Sequence, residues 1–262
     1  MGTPLDSFKL ETIIWSADVS WAILKQVVDN VLLPRGTVFK LDRLFFEEND
    51  KEIITYCQGA GYHVFVDAKI IEIPDKVIKI ANTYLKYKPW MLNVMAGACS
   101  TGLLEKKNEN DQIDALKRFA DACAEVGTKS CAVTVLTSKK PCVIREEFKR
   151  GQSEQVLTYV EMMHQAGLTD IVCSPQEAAD IRNIAKYKEL SINTPGVRMP
   201  GSSKDDQSRT ATPLNALRNG ADRLVIGRDM IRGDGDILDN IEKNYHDIFM
   251  HILPFYTGQL SV

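Results

Sequence analysis

The chain is predicted to fold as a single (β/α)8 barrel of the α/β class, and three observations support this. Its 262 residues fall in the range that one such barrel occupies. Eight short apolar runs alternate with amphipathic segments. No G-x-G-x-x-G motif follows the first run, which disfavours a doubly wound open sheet, the other architecture with this alternation. We therefore expect residues 1–262 to form one domain, with roughly residues 1–11 as an N-terminal extension.

The predicted strands are apolar or β-branched runs of five to eight residues that are bounded by polar residues or glycine. In chain order they are Thr12–Asp18, Thr37–Asp42, Val64–Lys69, Met91–Ala96, Lys129–Leu136, Asp170–Ser174, Leu190–Thr194 and Arg223–Arg228.

Helical spacing of apolar residues fills the segments between the strands. Ile113, Leu116 and Phe119 recur three apart, and Ile237, Ile241 and neighbouring positions repeat in the same way near the C-terminus. Four of the helices end in a glycine just before the next strand, where a left-handed C-terminal residue is expected. These glycines are Gly61, Gly127, Gly167 and Gly220.

Composition places the chain among folded globular proteins, with 44% hydrophobic and 26% charged residues. A net charge of -3 argues against a broad nucleic-acid-binding face, so any anion site must be local. No apolar run suits a signal peptide or a membrane span. The six cysteines form no C-x-x-C pair, which favours reduced thiols in a cytoplasmic protein and disfavours a disulfide framework or zinc site.

Charged residues end the first three predicted strands. Asp67 and Lys69 lie two apart on the third strand, so their side chains project to the same side. Lys40 closes the second strand and Asp18 the first, and the carboxyl ends of barrel strands meet at one mouth. A salt-bridge network that orders the rim is the alternative. Interleaved lysines and carboxylates suit proton delivery better, with Lys69 as a general acid toward a basic carbanion.

A phosphate site is predicted after the seventh and eighth strands. The loop after the seventh strand is long and rich in Gly and Ser, which is typical of a lid over a ligand. Gly227 offers backbone N–H groups after the eighth strand, and the guanidinium of Arg228 lies beside them. Taken singly, a tight turn explains Gly227 and a surface ion pair explains Arg228. Their occurrence together at this place favours phosphate binding.

Six segments carry further motifs: Asp67–Lys69, Val133–Ser138, Val172–Ala178, Thr194–Arg198, Asp206–Arg209 and Val225–Arg228. Together they resemble the orotidine 5'-monophosphate decarboxylase family, from about Ile13 to about Ile231. The Thr-Pro-Gly-Val-Arg and Val-Ile-Gly-Arg pair in this order is rather specific, whereas Asp-x-Lys is shared with sugar-phosphate decarboxylases of the same superfamily.

The resemblance implies a homodimeric barrel that uses neither metal nor organic cofactor. Its substrate is the small nucleotide orotidine monophosphate, which loses its C6 carboxylate to give uridine monophosphate, and no nucleic-acid or membrane partner is implied. Lys69 is then the proton donor. Lys40, Asp67 and Glu72 complete a charged relay, with Glu72 contributed across the dimer interface. Substrate contacts are implied for Asp18 at the ribose, Thr137 and Ser138 at the pyrimidine, Arg198, Gln207, Gly227 and Arg228 at the phosphate, and Pro195 within its motif.

The chain departs from the family pattern Asp-x-Lys-x-x-Asp-Ile-Pro-x-Thr at two positions, with Glu72 for the second Asp and Lys76 for the Thr. Asp42 stands where many members have Gly and adds a negative charge near Lys40. Met95 stands where many have His, which we interpret as core packing.

Two alternative functions remain open from the sequence. One is a metal-dependent sugar-phosphate decarboxylase, which removal of metal by EDTA would inactivate. The other is a pyrimidine-nucleotide-binding protein that has lost turnover. Intact nucleotide decarboxylase activity is favoured because Lys40, Asp67, Lys69 and the phosphate elements are all present.

Overall fold

Eight parallel strands close into a barrel in the computed structural model, which describes residues 8–97, 106–202 and 210–258. Each strand pairs with the next along the chain, and the eighth pairs with the first, with Ile14 beside Val225. The predicted (β/α)8 fold is therefore confirmed. The strands are β1 Ile13–Ser16, β2 Val38–Asp42, β3 His63–Ile70, β4 Met91–Met95, β5 Lys129–Val133, β6 Asp170–Val172, β7 Ser191–Thr194 and β8 Arg223–Ile226.

Helices follow the strands and surround the barrel. They are α1 Trp21–Asp29, α2 Arg43–Glu48, α3 Ile53–Gly59, α4 Pro74–Leu85, α5 Lys106–Glu125, α6 Pro141–Phe148, α7 Gln152–Gln165, α8 Pro175–Arg182, α9 Pro213–Arg218, α10 Arg228–Ile231 and α11 Ile237–Thr257. The expected left-handed glycines are confirmed, with φ of 89° at Gly61, 75° at Gly127, 75° at Gly167 and 97° at Gly220. Within the described part of the chain, no helix has the length and apolar character to cross a bilayer.

Helix caps end two strands earlier than the sequence pattern predicts. Ser174 is the N-cap residue of α8, its N–H donates to the Glu177 carboxylate at 2.8 Å, and Pro175 takes the first helical turn. Gly227 likewise caps α10, so β8 ends at Ile226 and Arg228 already belongs to the helix. Apolar periodicity does not show where the backbone turns from strand into the following helix, so the predicted strands continued to Ser174 and past Gly227.

The apolar core has two layers because successive strand residues face opposite sides. One layer lies between the strands and the helices and includes the fully buried Trp15, Phe39 and Phe119. The other fills the barrel interior with Ile14, Val38, Phe65, Met91, Cys131, Val133, Val172 and Val225. Met95 packs against both layers, as the sequence interpretation requires.

Charged groups fill the amino-terminal end of the barrel interior. The Arg223 guanidinium donates to Asp170 Oδ1 at 2.6 Å, and Asn193 Nδ2 donates to the same oxygen at 3.2 Å. Arg223 also lies 5.1 Å from the ring centroid of Trp90. We call Asp170, Asn193 and Arg223 the basal network. These buried contacts occupy the barrel interior at the end opposite the carboxyl ends of the strands.

Candidate active site

A cavity of about 270 Å³ lies at the carboxyl ends of the strands, a size suited to a small molecule. Residues from most of the strand ends contribute to its wall, as expected for a barrel site. The predicted site residues that line it are Asp18, Lys40, Asp67, Lys69, Thr137, Ser138, Pro195, Arg198, Gly227 and Arg228. The structure thus brings ten of the twelve predicted residues together.

The two remaining predicted residues are Glu72 and Gln207. Glu72 lies outside the cavity, where its carboxylate accepts from the Ile73 N–H at 3.2 Å and pairs with Lys76 at 3.0 Å. Within one subunit it therefore does not reach Lys69. Gln207 lies outside the described residues.

Lys40 and Lys69 both donate to one oxygen of Asp67. The Nζ atoms lie 2.7 Å and 2.6 Å from Asp67 Oδ2. The side chains of Asp67 and Lys40 are only 7% and 11% exposed, whereas that of Lys69 is 42% exposed. Lys40 is therefore the fixed counter-charge beneath the carboxylate, and Lys69 is the cation that faces the open cavity.

The protonation states of the buried pair follow from this geometry. Burial alone would raise the pKa of Asp67, but the ammonium groups of Lys40 and Lys69 outweigh it and hold that pKa well below its usual value. Burial alone would lower the pKa of Lys40, yet the carboxylates of Asp67, Asp18 and Asp42 raise it. The pair is therefore fully ionised at neutral pH.

The departure at Asp42 has a local structural role. Asp42 caps α2 by accepting a hydrogen bond from the Phe45 N–H at 2.9 Å. Its carboxylate adds to the negative charge around Lys40 without entering the cavity wall.

Asn93 supports the charged cluster from β4, and the sequence analysis missed it. The side chain is fully buried, and its Nδ2 donates to Asp67 Oδ1 at 2.6 Å. Its Oδ1 accepts from the Lys69 backbone N–H at 2.7 Å, and Lys69 has the left-handed φ of 42°. The available signal was a single polar residue in the apolar run Met-Leu-Asn-Val-Met.

Gly227 lies in ordinary contact distance of the residues that end and follow β1. A Cβ added there would lie 3.5 Å from Asp18 Oδ2 and 3.5 Å from Ser16 Cβ. Ser16 in turn donates to the Asp18 carboxylate at 3.3 Å. Asp18 therefore lies between the charged cluster and the predicted phosphate end.

Asp229 organises the predicted phosphate end, and the sequence analysis missed this residue too. It is buried, and its Oδ2 accepts from the Met199 N–H at 2.6 Å. Its Oδ1 lies 3.7 Å from the Arg198 guanidinium and 3.2 Å from that of Arg232. One carboxylate thus ties the loop after β7 to the turn after β8. Its position directly after Gly-Arg was the only sequence signal.

Comparison with known proteins agrees with this geometry. The sequence signature described as "Orotidine 5'-phosphate decarboxylase / HUMPS family" matches residues 11–243. The chain belongs to this family. This confirms the resemblance that the motifs indicated.

Relatives and a solved structure extend this similarity over most of the chain. The orotidine 5'-phosphate decarboxylase of Moorella thermoacetica is 36% identical over 206 residues, which cover 78% of this chain and 79% of that protein. That of Nitrosomonas eutropha is 34% identical over 194 residues, covering 74% and 78%. The crystal structure of orotidine 5'-phosphate decarboxylase from Lactobacillus acidophilus shares the fold, with a TM-score of 0.72 at 23% identity, covering 92% of this chain and 99% of that one.

Proposed function

We propose that this chain decarboxylates orotidine 5'-monophosphate to uridine 5'-monophosphate, the carboxy-lyase reaction of pyrimidine synthesis. The observation that carries the proposal is the Lys40–Asp67–Lys69 cluster inside a cavity whose opposite wall presents Arg198 and Arg228. An ammonium for the reacting carbon and guanidinium groups for a phosphate are the two requirements of this substrate.

The difficult step of this reaction is the loss of carbon dioxide, which leaves an electron pair at C6 without a good resonance sink. Such a site must stabilise the developing negative charge electrostatically. The Lys69 ammonium is the exposed cation of the cluster and would supply this charge, then donate its proton to C6. Lys40 stays paired with Asp67 and keeps the cluster positively charged overall.

Asp67 would act on the substrate carboxylate. With two lysines bound to its Oδ2, Asp67 remains an anion at the cavity wall. A substrate carboxylate placed beside it meets like-charge repulsion, which the departure of carbon dioxide relieves. This contribution adds to the stabilisation of the carbanion by Lys69.

The remaining cavity residues would bind the parts of the nucleotide that do not react. Thr137 and Ser138 follow β5 and suit the polar edge of the pyrimidine, with Pro195 nearby. Asp18 suits the ribose hydroxyls. The phosphate is assigned to Arg198, Arg228 and Gly227, together with Gln207 from the loop after β7. Binding energy from the phosphate would then help to close that loop and exclude water.

We also propose that the chain works as a homodimer with shared sites. Leu44, Ile71 and Ile73 are 65%, 67% and 52% exposed, and they come from the segments just after β2 and β3, next to the cavity. Exposed large apolar residues at such a place favour a protein contact. Glu72 lies between two of these residues and would reach the partner's site.

A cytoplasmic barrel of one domain completes the proposal. Cys57, Cys123, Cys131 and Cys173 are free and buried, which suits a reducing compartment. Phe8, in the described part of the proposed N-terminal extension, packs edge-on against Phe249 and Tyr256 of α11.

Ultraviolet absorbance of orotidine monophosphate tests the proposal directly. Wild-type protein is expected to consume the nucleotide, and Lys69→Ala is expected to lose at least about a thousandfold in kcat because charge and proton are both removed. Lys129→Ala is the matched control, since Lys129 begins β5 at the opposite end of the barrel. If the wild type binds uridine monophosphate but does not consume orotidine monophosphate, the proposal is overturned in favour of a nucleotide-binding protein.

A further inference from the structure

The backbone around the charged cluster is irregular. The pairing of β3 with β4 shifts register between Val66 and Ile70, the stretch that contains Asp67 and Lys69. Lys69 has a φ of 42°, a left-handed conformation that is uncommon and costly for a residue with a side chain. Such a conformation persists only where neighbouring groups hold it.

Asn93 is the group that holds it. Its Oδ1 accepts from the Lys69 N–H at 2.7 Å, so a side chain replaces the ladder partner that the register shift removes. The same amide donates through Nδ2 to Asp67 Oδ1 at 2.6 Å. The Asp67 carboxylate is thereby divided, with Oδ1 bound to Asn93 and Oδ2 bound to the two lysines.

We propose that Asn93 is a positioning residue of the reaction, which fixes the left-handed turn at Lys69 and the orientation of the Asp67 carboxylate. Asn93 is fully buried and is not part of the cavity wall, so it acts through these two residues. The inference rests on the proposed roles of Lys69 and Asp67 in decarboxylation. The Asn93 amide meets both demands, because its oxygen supplies the acceptor for one contact and its nitrogen the donor for the other.

Asn193 provides a matched comparison. It is also a fully buried asparagine on a barrel strand, and its Nδ2 donates to Asp170 at 3.2 Å and to the Ile171 carbonyl at 3.1 Å. It belongs to the basal network, at the other end of the barrel. A purely structural role for Asn93 would make the two residues equivalent on replacement by alanine.

The first experiment compares N93A and N193A in kcat, KM and unfolding midpoint. Both are expected to lose stability, but only N93A is expected to lose kcat, by about thirty- to a hundredfold, with KM changed less than about threefold. A loss of kcat in N193A equal to that in N93A, or an unchanged kcat in N93A, would overturn the proposal.

The isosteric variant N93D separates the two contacts and avoids a cavity. The introduced carboxylate keeps an acceptor for the Lys69 N–H but repels Asp67 until it is protonated and can donate. Asp67, the partner of position 93, is bound by Lys40 from β2 and Lys69 from β3. Asp18 and Asp42 also act on Lys40, and on β5 the Cys131 thiol is affected by Asp67, Asp170 and Arg223. Activity of N93D is therefore expected to rise as pH falls, while wild-type activity does not.

The K69A variant keeps the two hypotheses distinguishable. Absence of turnover by the wild type would refute the proposed function, whereas full turnover by K69A would refute the role of Lys69, whatever N93A does. Loss of turnover in K69A, together with N93D activity that follows the wild-type pH profile, would refute the role of Asn93 alone. N93D also decides the case if N93A does not fold.

Discussion

The carboxylate of Glu72 lies 3.0 Å from the ammonium of Lys76, one helical turn further along the chain. These are the two positions at which the chain departs from the family's Asp-x-Lys-x-x-Asp-Ile-Pro-x-Thr pattern. The two departures are therefore partners, and the longer acid is matched by a base in the same subunit. The pair is largely solvent-exposed, so its contribution to folding is small, and the role proposed for Glu72 is in the homodimer proposed above.

Subunit mixing tests whether Glu72 acts across the interface. E72Q and K69A are each expected to lose turnover, because each removes one part of every site. In dimers re-formed from an equal mixture, one site of each mixed dimer pairs an intact Lys69 with an intact Glu72 from the other subunit. We expect recovery of about a quarter of wild-type activity.

The control experiment mixes K69A subunits with D67N subunits. Asp67 and Lys69 belong to the same subunit's site, so no mixed dimer restores both residues in one cavity. Recovery of activity when K69A is mixed with D67N, or no recovery when it is mixed with E72Q, would contradict the assignment of shared sites.

Asp67 is expected to stabilise the fold in a pH-dependent way. Its folded pKa lies below the ordinary value of 3.8, so its contribution is complete above that value and is lost as pH falls through the folded pKa. We expect D67N to be about 3 kcal/mol less stable than wild type at pH 7, because the buried Lys40 loses its partner. Urea unfolding at a series of pH values should show this gap narrowing below about pH 4. A gap that stays constant down to pH 3 would argue against an ionised Asp67.

Replacing Asp229 is expected to weaken phosphate recognition. D229A removes the acceptor for the Met199 N–H and the counter-charge of Arg198, so the loop after β7 loses its anchor. We expect KM for orotidine monophosphate to rise about tenfold with a smaller change in kcat, as remote binding energy is lost. Uridine, which has no phosphate, should bind equally well to wild type and variant in calorimetry.

Asp222 is the matched control for Asp229. It also accepts a backbone N–H at 2.6 Å, from Ile192, and pairs with an arginine, Arg182, but at the amino-terminal end of β7 and β8. D222A should lower stability and leave KM unchanged. Equal changes in KM in D222A and D229A would show that Asp229 has no specific role at the phosphate end.

Metal removal separates the two decarboxylase hypotheses. The charge for the carbanion is assigned to the ammonium groups of Lys40 and Lys69, so turnover of orotidine monophosphate should survive dialysis against EDTA. If the turnover is lost on dialysis and returns when Mg²⁺ is added, the hypothesis of a metal-dependent sugar-phosphate decarboxylase is favoured.

The barrel was predictable from the sequence, because strand and helix periodicities and the glycines at helix ends are local signals. Nine of the ten predicted cavity residues followed from the strand ends, since the carboxyl ends of barrel strands converge wherever they lie along the chain, and Pro195 followed from its motif. Strand ends near Ser174 and Gly227 were misjudged because apolar periodicity does not show where the backbone turns into the next helix.

The residues that support the predicted cavity residues could be identified only from the tertiary structure. Asn93 and Asp229 act through hydrogen bonds to residues 24 and 30 positions away, at Lys69 and Met199. Linear periodicity contains no information about such partners, because a buried polar group is explained only by what the fold places against it. The left-handed conformation of Lys69, and the division of the Asp67 carboxylate between Asn93 and the two lysines, depend on how β3 lies beside β4. The sequence alone therefore did not predict them.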